Sequence, residues 1–109
     1  PTGRRWVSMP GGMLAVRDLP GPAGAPTVVL IHGWTATADV NFHHCYGPLS
    51  NDVRVVAFDQ RGHGTGLRPK RPFRLADCAD DVVRVADALG IDRVVPVGYS
   101  IGGALLRMM

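Results

Sequence analysis

An α/β fold built around parallel strands is what this sequence predicts, and two patterns carry the prediction. Apolar, β-branched runs recur without polar alternation: Thr27-Val28-Val29-Leu30-Ile31, then Val53 to Phe58 interrupted by Arg54, then Val94-Val95-Pro96-Val97. Strands that read this way are covered on both faces, as in parallel sheets with helices on either side. Between the runs lie segments of helical period. Alternation of strand, helix and strand points to a sheet with right-handed crossovers.

The elements follow in order. Trp6 to Met9 and Met13 to Arg17 flank Pro10-Gly11-Gly12, which reads as a β-hairpin closed by a Pro-Gly turn. Leu19 to Pro26 is a loop, because its glycines and prolines sustain neither helix nor central strand. Asp39 to Ser50 is a helix candidate of weak pattern. Leu75, Cys78, Val82, Ala86 and Leu89 fall on one helical face, with Asp77, Asp80, Asp81 and Asp87 elsewhere and Gly90 as the stop. Pro96 lacks a backbone donor and counts against a central position for the third run. Gly103 to Met109 begins another helix with no stop signal.

Composition narrows the classes. A chain of 109 residues is one domain at most, and 46% hydrophobic with 19% charged residues is ordinary for a globular protein. The net charge of +3 argues for no particular partner. All nine acidic residues are Asp, which excludes an HExxH metalloprotease helix and a Glu-ended calcium loop. The basic N-terminus leads into no apolar run, so no secretory signal is read, and no stretch approaches the roughly 20 apolar residues of a membrane span. A cytoplasmic setting is expected, with Cys45 and Cys78 as free thiols.

Chemistry enters at Gly98-Tyr99-Ser100-Ile101-Gly102, a G-x-S-x-G between an apolar strand and a helix. That context makes a nucleophile elbow. The turn is tight enough that the residues two before and two after the serine must be small, and both are Gly. It lifts the hydroxyl above the sheet edge at a helix N-terminus, where backbone donors favour developing negative charge. Two further motifs accompany it: His32-Gly33-Trp34 after the Thr27–Ile31 run, and Asp59-Gln60-Arg61-Gly62-His63-Gly64 after the run ending at Phe58.

With these three motifs in this order, the sequence resembles the α/β-hydrolase superfamily. That family carries an HG-x turn after its third strand, D-x-R-G-x-G after its fourth and G-x-S-x-G after its fifth. The resemblance spans nearly all of residues 1–109 but only about the first half of the family's fold. It implies an incomplete α/β-hydrolase sheet of strands 1–5, in spatial order 1-2-4-3-5 with strand 2 antiparallel and helices on both faces. It implies Ser100 as nucleophile and the backbone N–H groups of Trp34 and Ile101 as oxyanion donors. His32, Gly33, Gly98 and Gly102 support the turns, and Gly103 lets the nucleophile helix pack closely. The implied activity is hydrolysis of a small-molecule ester or related acyl bond, with no cofactor and no metal. The triad acid and histidine are expected beyond Met109, leaving residues 1–109 alone inactive. Family members that open epoxides or displace halide place Asp at the nucleophile position.

In this fold the triad runs Ser, acid, His along the chain, whereas His32, His43, His44 and His63 all precede Ser100. Asp59 is expected to hydrogen-bond its own loop. His43-His44-Cys45 lacks the i, i+3 or i, i+4 spacing of helical ligands. Arg61, Arg68, Lys70, Arg71 and Arg74 form a basic stretch, but Phe73 is its only aromatic, so a solvated loop is expected rather than a nucleic-acid or membrane surface. Gly98, Ser100 and Gly103 echo a dinucleotide fingerprint, with serine where close approach to a pyrophosphate needs glycine. A noncatalytic binding protein that keeps the elbow remains the alternative to a serine hydrolase. Substrate identity and oligomeric state are not legible.

Overall fold

The computed structural model describes residues 3–68 and 74–99. The chain runs β1 (Arg4–Met9), β2 (Gly12–Leu19), β3 (Thr27–Ile31), α1 (Ala38–Ser50), β4 (Arg54–Phe58), α2 (Leu75–Ala88) and β5 (Val94–Gly98). The five strands form one sheet in the order β1-β2-β4-β3-β5. β2 runs antiparallel to β1 and β4, while β3 runs parallel to β4 and β5. This is the order and the single reversed strand that the resemblance implies. The hairpin strands are longer than their apolar runs, and β2 takes in Leu19 from the expected loop.

The parallel strands explain the uninterrupted runs. Along β3 and β4, Val29, Ile31, Val56 and Phe58 face one layer, and Leu30, Val55 and Ala57 face the other. The first layer is closed by Cys78, Val82 and Val85 of α2 together with Val7 and Leu14 of the hairpin. The second is closed by Ala38, Phe42 and Tyr46 of α1, spaced at i, i+4 and i+8. The two helices therefore lie on opposite faces. Cys45 is exposed on α1, Cys78 is buried under α2, and both are free thiols.

Local chemistry sets the helix ends. Thr37 caps α1 by accepting the Val40 N–H at 3.1 Å. At α2 the N-cap is Arg74, which has no acceptor to offer. Instead, Asp77 reaches back to the Arg74 N–H at 2.8 Å, one half of a capping box. Gly90, at φ 69°, follows the C-cap residue Leu89.

Arg54, the polar interruption in its run, pairs in a bidentate way with Asp18 of β2 at 2.9 and 2.8 Å, and Arg5 adds a third bond at 3.1 Å. The Arg54 hydrogen bonds hold the Asp18 carboxyl below its ordinary range against the opposing effect of burial. Arg17 joins β2 to α1 through Asp39 in the same bidentate fashion at 3.2 and 2.7 Å, and Tyr46 donates its hydroxyl to that carboxylate at 2.9 Å. Pro96 is paired opposite Val29. Tyr99 N–H donates to Ile31 O at 3.0 Å. Because N–H groups alternate along a strand, the missing donor of Pro96 falls on the side away from β3.

Candidate active site

Aligned starts give aligned ends. Thr27 pairs with both Arg54 and Val94, so the C-terminal ends of β3, β4 and β5 emerge along one rim of the sheet. All three sequence motifs begin there, which is the rim where open α/β sheets bind ligands.

His32 is completely buried at this rim and ties two of the turns together. Its Nε2 accepts the Gln60 backbone N–H at 2.8 Å, which leaves the proton on Nδ1, and Nδ1–H donates to Gly33 O at 2.6 Å. Its backbone carbonyl accepts Gln60 Nε2 at 2.7 Å. Burial is the main cause that holds the imidazole below its ordinary pKa, so the neutral tautomer persists. The side chain is a structural brace between the two turns.

The turn that follows is held from outside. Gly33 N–H donates to Asn41 Oδ1 of α1 at 2.7 Å. Thr35 N–H donates to His63 Nε2 at 3.0 Å. Trp34, between them, presents a half-exposed indole that meets the His63 ring edge-to-face, with centroids 4.6 Å apart at 71°. His63 meets His32 in the same manner, at 5.1 Å and 63°. Thr35 has φ 61°, a left-handed conformation that is an outlier for a β-branched residue. Such a conformation costs on the order of 1–3 kcal/mol and persists where its surroundings impose it.

Asp59 does bond its own loop, as expected, accepting Thr65 N–H at 2.8 Å and the Thr65 hydroxyl at 3.0 Å. It also accepts the Ala38 N–H at 2.8 Å, satisfying a donor at the start of α1. Gly64 must be Gly: its φ is 41°, and a Cβ there would collide with the Asp59 carboxylate. Arg61 departs from the solvated stretch expected for it. It makes a bidentate pair with Asp81 of α2 at 2.7 and 2.8 Å, and Asp81 is 3% exposed. Arg68 keeps to its own loop, donating to Gly64 O.

Of the sequence-predicted site residues, His32, Gly33, Trp34 and Gly98 thus lie together along the rim. Gly98 pairs with Ile31, directly before the His32 turn. Ser100, Ile101 and Gly102 lie outside the described residues, as does the helix expected from Gly103. Sequence reasoning missed Asn41, Gln60 and the Arg61–Asp81 pair. The sequence sets Asp81 off the apolar face of its helix, whereas the structure buries it at 3% exposure, where a carboxylate requires a partner. Among the described residues, no three His, Cys, Asp or Glu side chains gather as a metal site, and no helix is long and apolar enough to cross a membrane.

The sequence model of the α/β hydrolase fold matches residues 26–109. The chain belongs to this family. Among its relatives, the bifunctional esterase/perhydrolase DCH of Acinetobacter calcoaceticus is 37% identical over 83 residues, which are 76% of this chain and 30% of that protein. Epoxide hydrolase B of Mycobacterium tuberculosis is 34% identical over 90 residues, 81% of this chain and 25% of the relative. Among solved structures, the enol-lactonase from Burkholderia xenovorans LB400 superposes with a TM-score of 0.82 at 30% identity, covering 93% of this chain and 39% of that one. The chain therefore spans about a third of the length of the proteins it matches.

Proposed function

We propose that the protein is a serine hydrolase acting on ester or related acyl bonds. The observation that carries this reading is Ser100 within G-x-S-x-G, directly following a strand whose end pairs beside the His32-Gly33-Trp34 turn. Ser100 Oγ attacks the acyl carbonyl and forms a tetrahedral intermediate. The backbone N–H groups of Trp34 and Ile101 stabilise the oxyanion, and each such donor contributes about 3 kcal/mol to the transition state. Collapse of the intermediate releases the alcohol, and water hydrolyses the acyl-enzyme.

The base that takes the Oγ proton, and the acid that orients it, belong to sequence after Met109. All four histidines precede Ser100, against the chain order of this fold. His32 and His63 are moreover occupied as braces, each accepting a backbone N–H at Nε2. Relatives include both an esterase and an epoxide hydrolase, and serine rather than Asp at position 100 favours acyl transfer over epoxide opening. The substrate is a small acyl compound. Two free thiols, one of them exposed, fit a reducing, cytoplasmic compartment.

The test is turnover of a short activated ester by the full gene product. Ser100→Ala should reduce it to background. An alanine variant with wild-type turnover would show that another group is the nucleophile, and absence of turnover on any acyl substrate would favour a noncatalytic binding role.

A further inference from the structure

The Trp34 amide sits between two amides that are each gripped by a side chain from another element. Gly33 N–H is held by Asn41 of α1, and Thr35 N–H by His63 of the turn after β4. The second grip falls on the strained point of the turn, since Thr35 has φ 61°. His63 is itself oriented on every side. Its Nδ1–H donates to Arg61 O at 3.1 Å, and its ring packs edge-on against Trp34 and His32. Arg61 is anchored in turn to the buried Asp81 of α2. A continuous set of contacts therefore runs from α2 through Arg61 and His63 to the Trp34–Thr35 peptide.

We propose that His63 is the positioning residue of the oxyanion turn, its unprotonated Nε2 fixing the Thr35 amide and so aiming the Trp34 amide at the developing oxyanion. The inference rests on the acyl-transfer reading above. His63 transfers no proton in this role and acts through the turn alone. A donor displaced by about 1 Å can lower a rate by about 100-fold, because an oxyanion donor is effective only in its aligned position. Uniform substrate binding need not change, so the loss should appear in kcat rather than KM.

Two variants separate the hydrogen bond from the ring. His63→Phe keeps an aromatic ring against Trp34 and His32 but offers no acceptor. His63→Gln gives up the ring but can bring Oε1 near the position of Nε2. In the full gene product acting on p-nitrophenyl acetate, His63→Phe should lower kcat about 10- to 100-fold, with KM changed less than about twofold. His63→Gln should recover most of that loss. Amide hydrogen exchange at Thr35, which needs no substrate, should accelerate about tenfold in the Phe variant and stay near wild type in the Gln variant.

A Ser100→Ala arm judges the underlying reading. Turnover that survives in it refutes acyl transfer by Ser100, whatever His63 does. The positioning role is overturned separately if Ser100→Ala is silent while His63→Phe keeps the wild-type kcat, or if Thr35 exchange is unchanged in the Phe variant. A wild-type protein with no ester turnover would remove both claims, and Thr35 exchange would then still report whether the grip exists.

Discussion

Replacing His32 with Phe removes both ring hydrogen bonds while keeping a planar side chain of similar size. The Gln60 N–H and the Gly33 carbonyl would then lose the partners they have at 2.8 and 2.6 Å. Both residues are buried, and an orphaned buried polar group costs about 1–3 kcal/mol. The Gly33 carbonyl keeps the Ala36 N–H at 3.3 Å, so the orphaned group is the Gln60 N–H and the loss is about 1–3 kcal/mol, a sizeable fraction of the 5–15 kcal/mol that holds a typical domain together. His32→Gln can restore an acceptor for Gln60 and should recover most of that loss. Urea unfolding of the full gene product, read by fluorescence with Trp34 beside His63 as a local reporter, gives the differences directly. A Phe variant within about 0.5 kcal/mol of wild type, the range of an ordinary surface change, would refute the bracing role.

The same residue sets a pH dependence whose sign follows from linkage. Burial holds the folded-state pKa of His32 below its ordinary 6.5. The unfolded chain therefore binds the proton first as pH falls. The His32 contribution is fully present above about 6.5 and is lost progressively as pH falls toward the depressed folded value. Between pH 7 and pH 5 the wild type should lose more stability than His32→Phe, which has no proton to bind there. Equal losses would contradict the assignment.

Other predictions concern the links around the site. Asp81→Ala takes away both hydrogen bonds that Arg61 donates to α2 and should cost about 3–5 kcal/mol, the range for removing one partner of a buried pair. A loss near zero by the same unfolding assay would mean that the pair is not coupled to stability. Of the two thiols, Cys45 is exposed and should react readily with a disulfide reagent in the native protein. Cys78 is 2% exposed, with its thiol pushed up to about 11 by burial, and should react only after unfolding. Mass spectrometry under non-reducing conditions should find both free, and a Cys45–Cys78 bridge would refute the placement of α1 and α2 on opposite faces.

The sheet was legible in the sequence because its central strands are covered on both faces, and Val28 to Ile31 and Val55 to Phe58 have no polar residue to mislead. Strand order came from the motif resemblance, since nothing in an apolar run states which neighbour it pairs with. Boundaries were less legible at the hairpin, where Arg4, Arg5 and Asp18 are strand residues. Charges there are accommodated by pairs such as Arg5–Asp18 and Arg17–Asp39, which form only once the chain is folded. The helix over Ala38–Ser50 read weakly because Gly47 and Pro48 lie in its last turns, yet Thr37 and the buried Phe42 and Tyr46 are sufficient to hold it. At the site, the motifs identified the turns but not what fixes them. Asn41, Gln60 and His63 act on backbone atoms of residues 8 to 28 positions away, and side chain to backbone bonds of that kind leave no periodic trace.

The central claim, that Ser100 is an acyl-accepting nucleophile, is tested most directly by covalent capture. A fluorophosphonate reacts with an activated serine and leaves a stable adduct that peptide mass spectrometry can place on one residue. The full gene product should carry a single adduct on Ser100, and Ser100→Ala should carry none while unfolding at the same urea concentration as wild type. No adduct on a wild-type protein that is folded, or equal labelling of the alanine variant, would contradict the account.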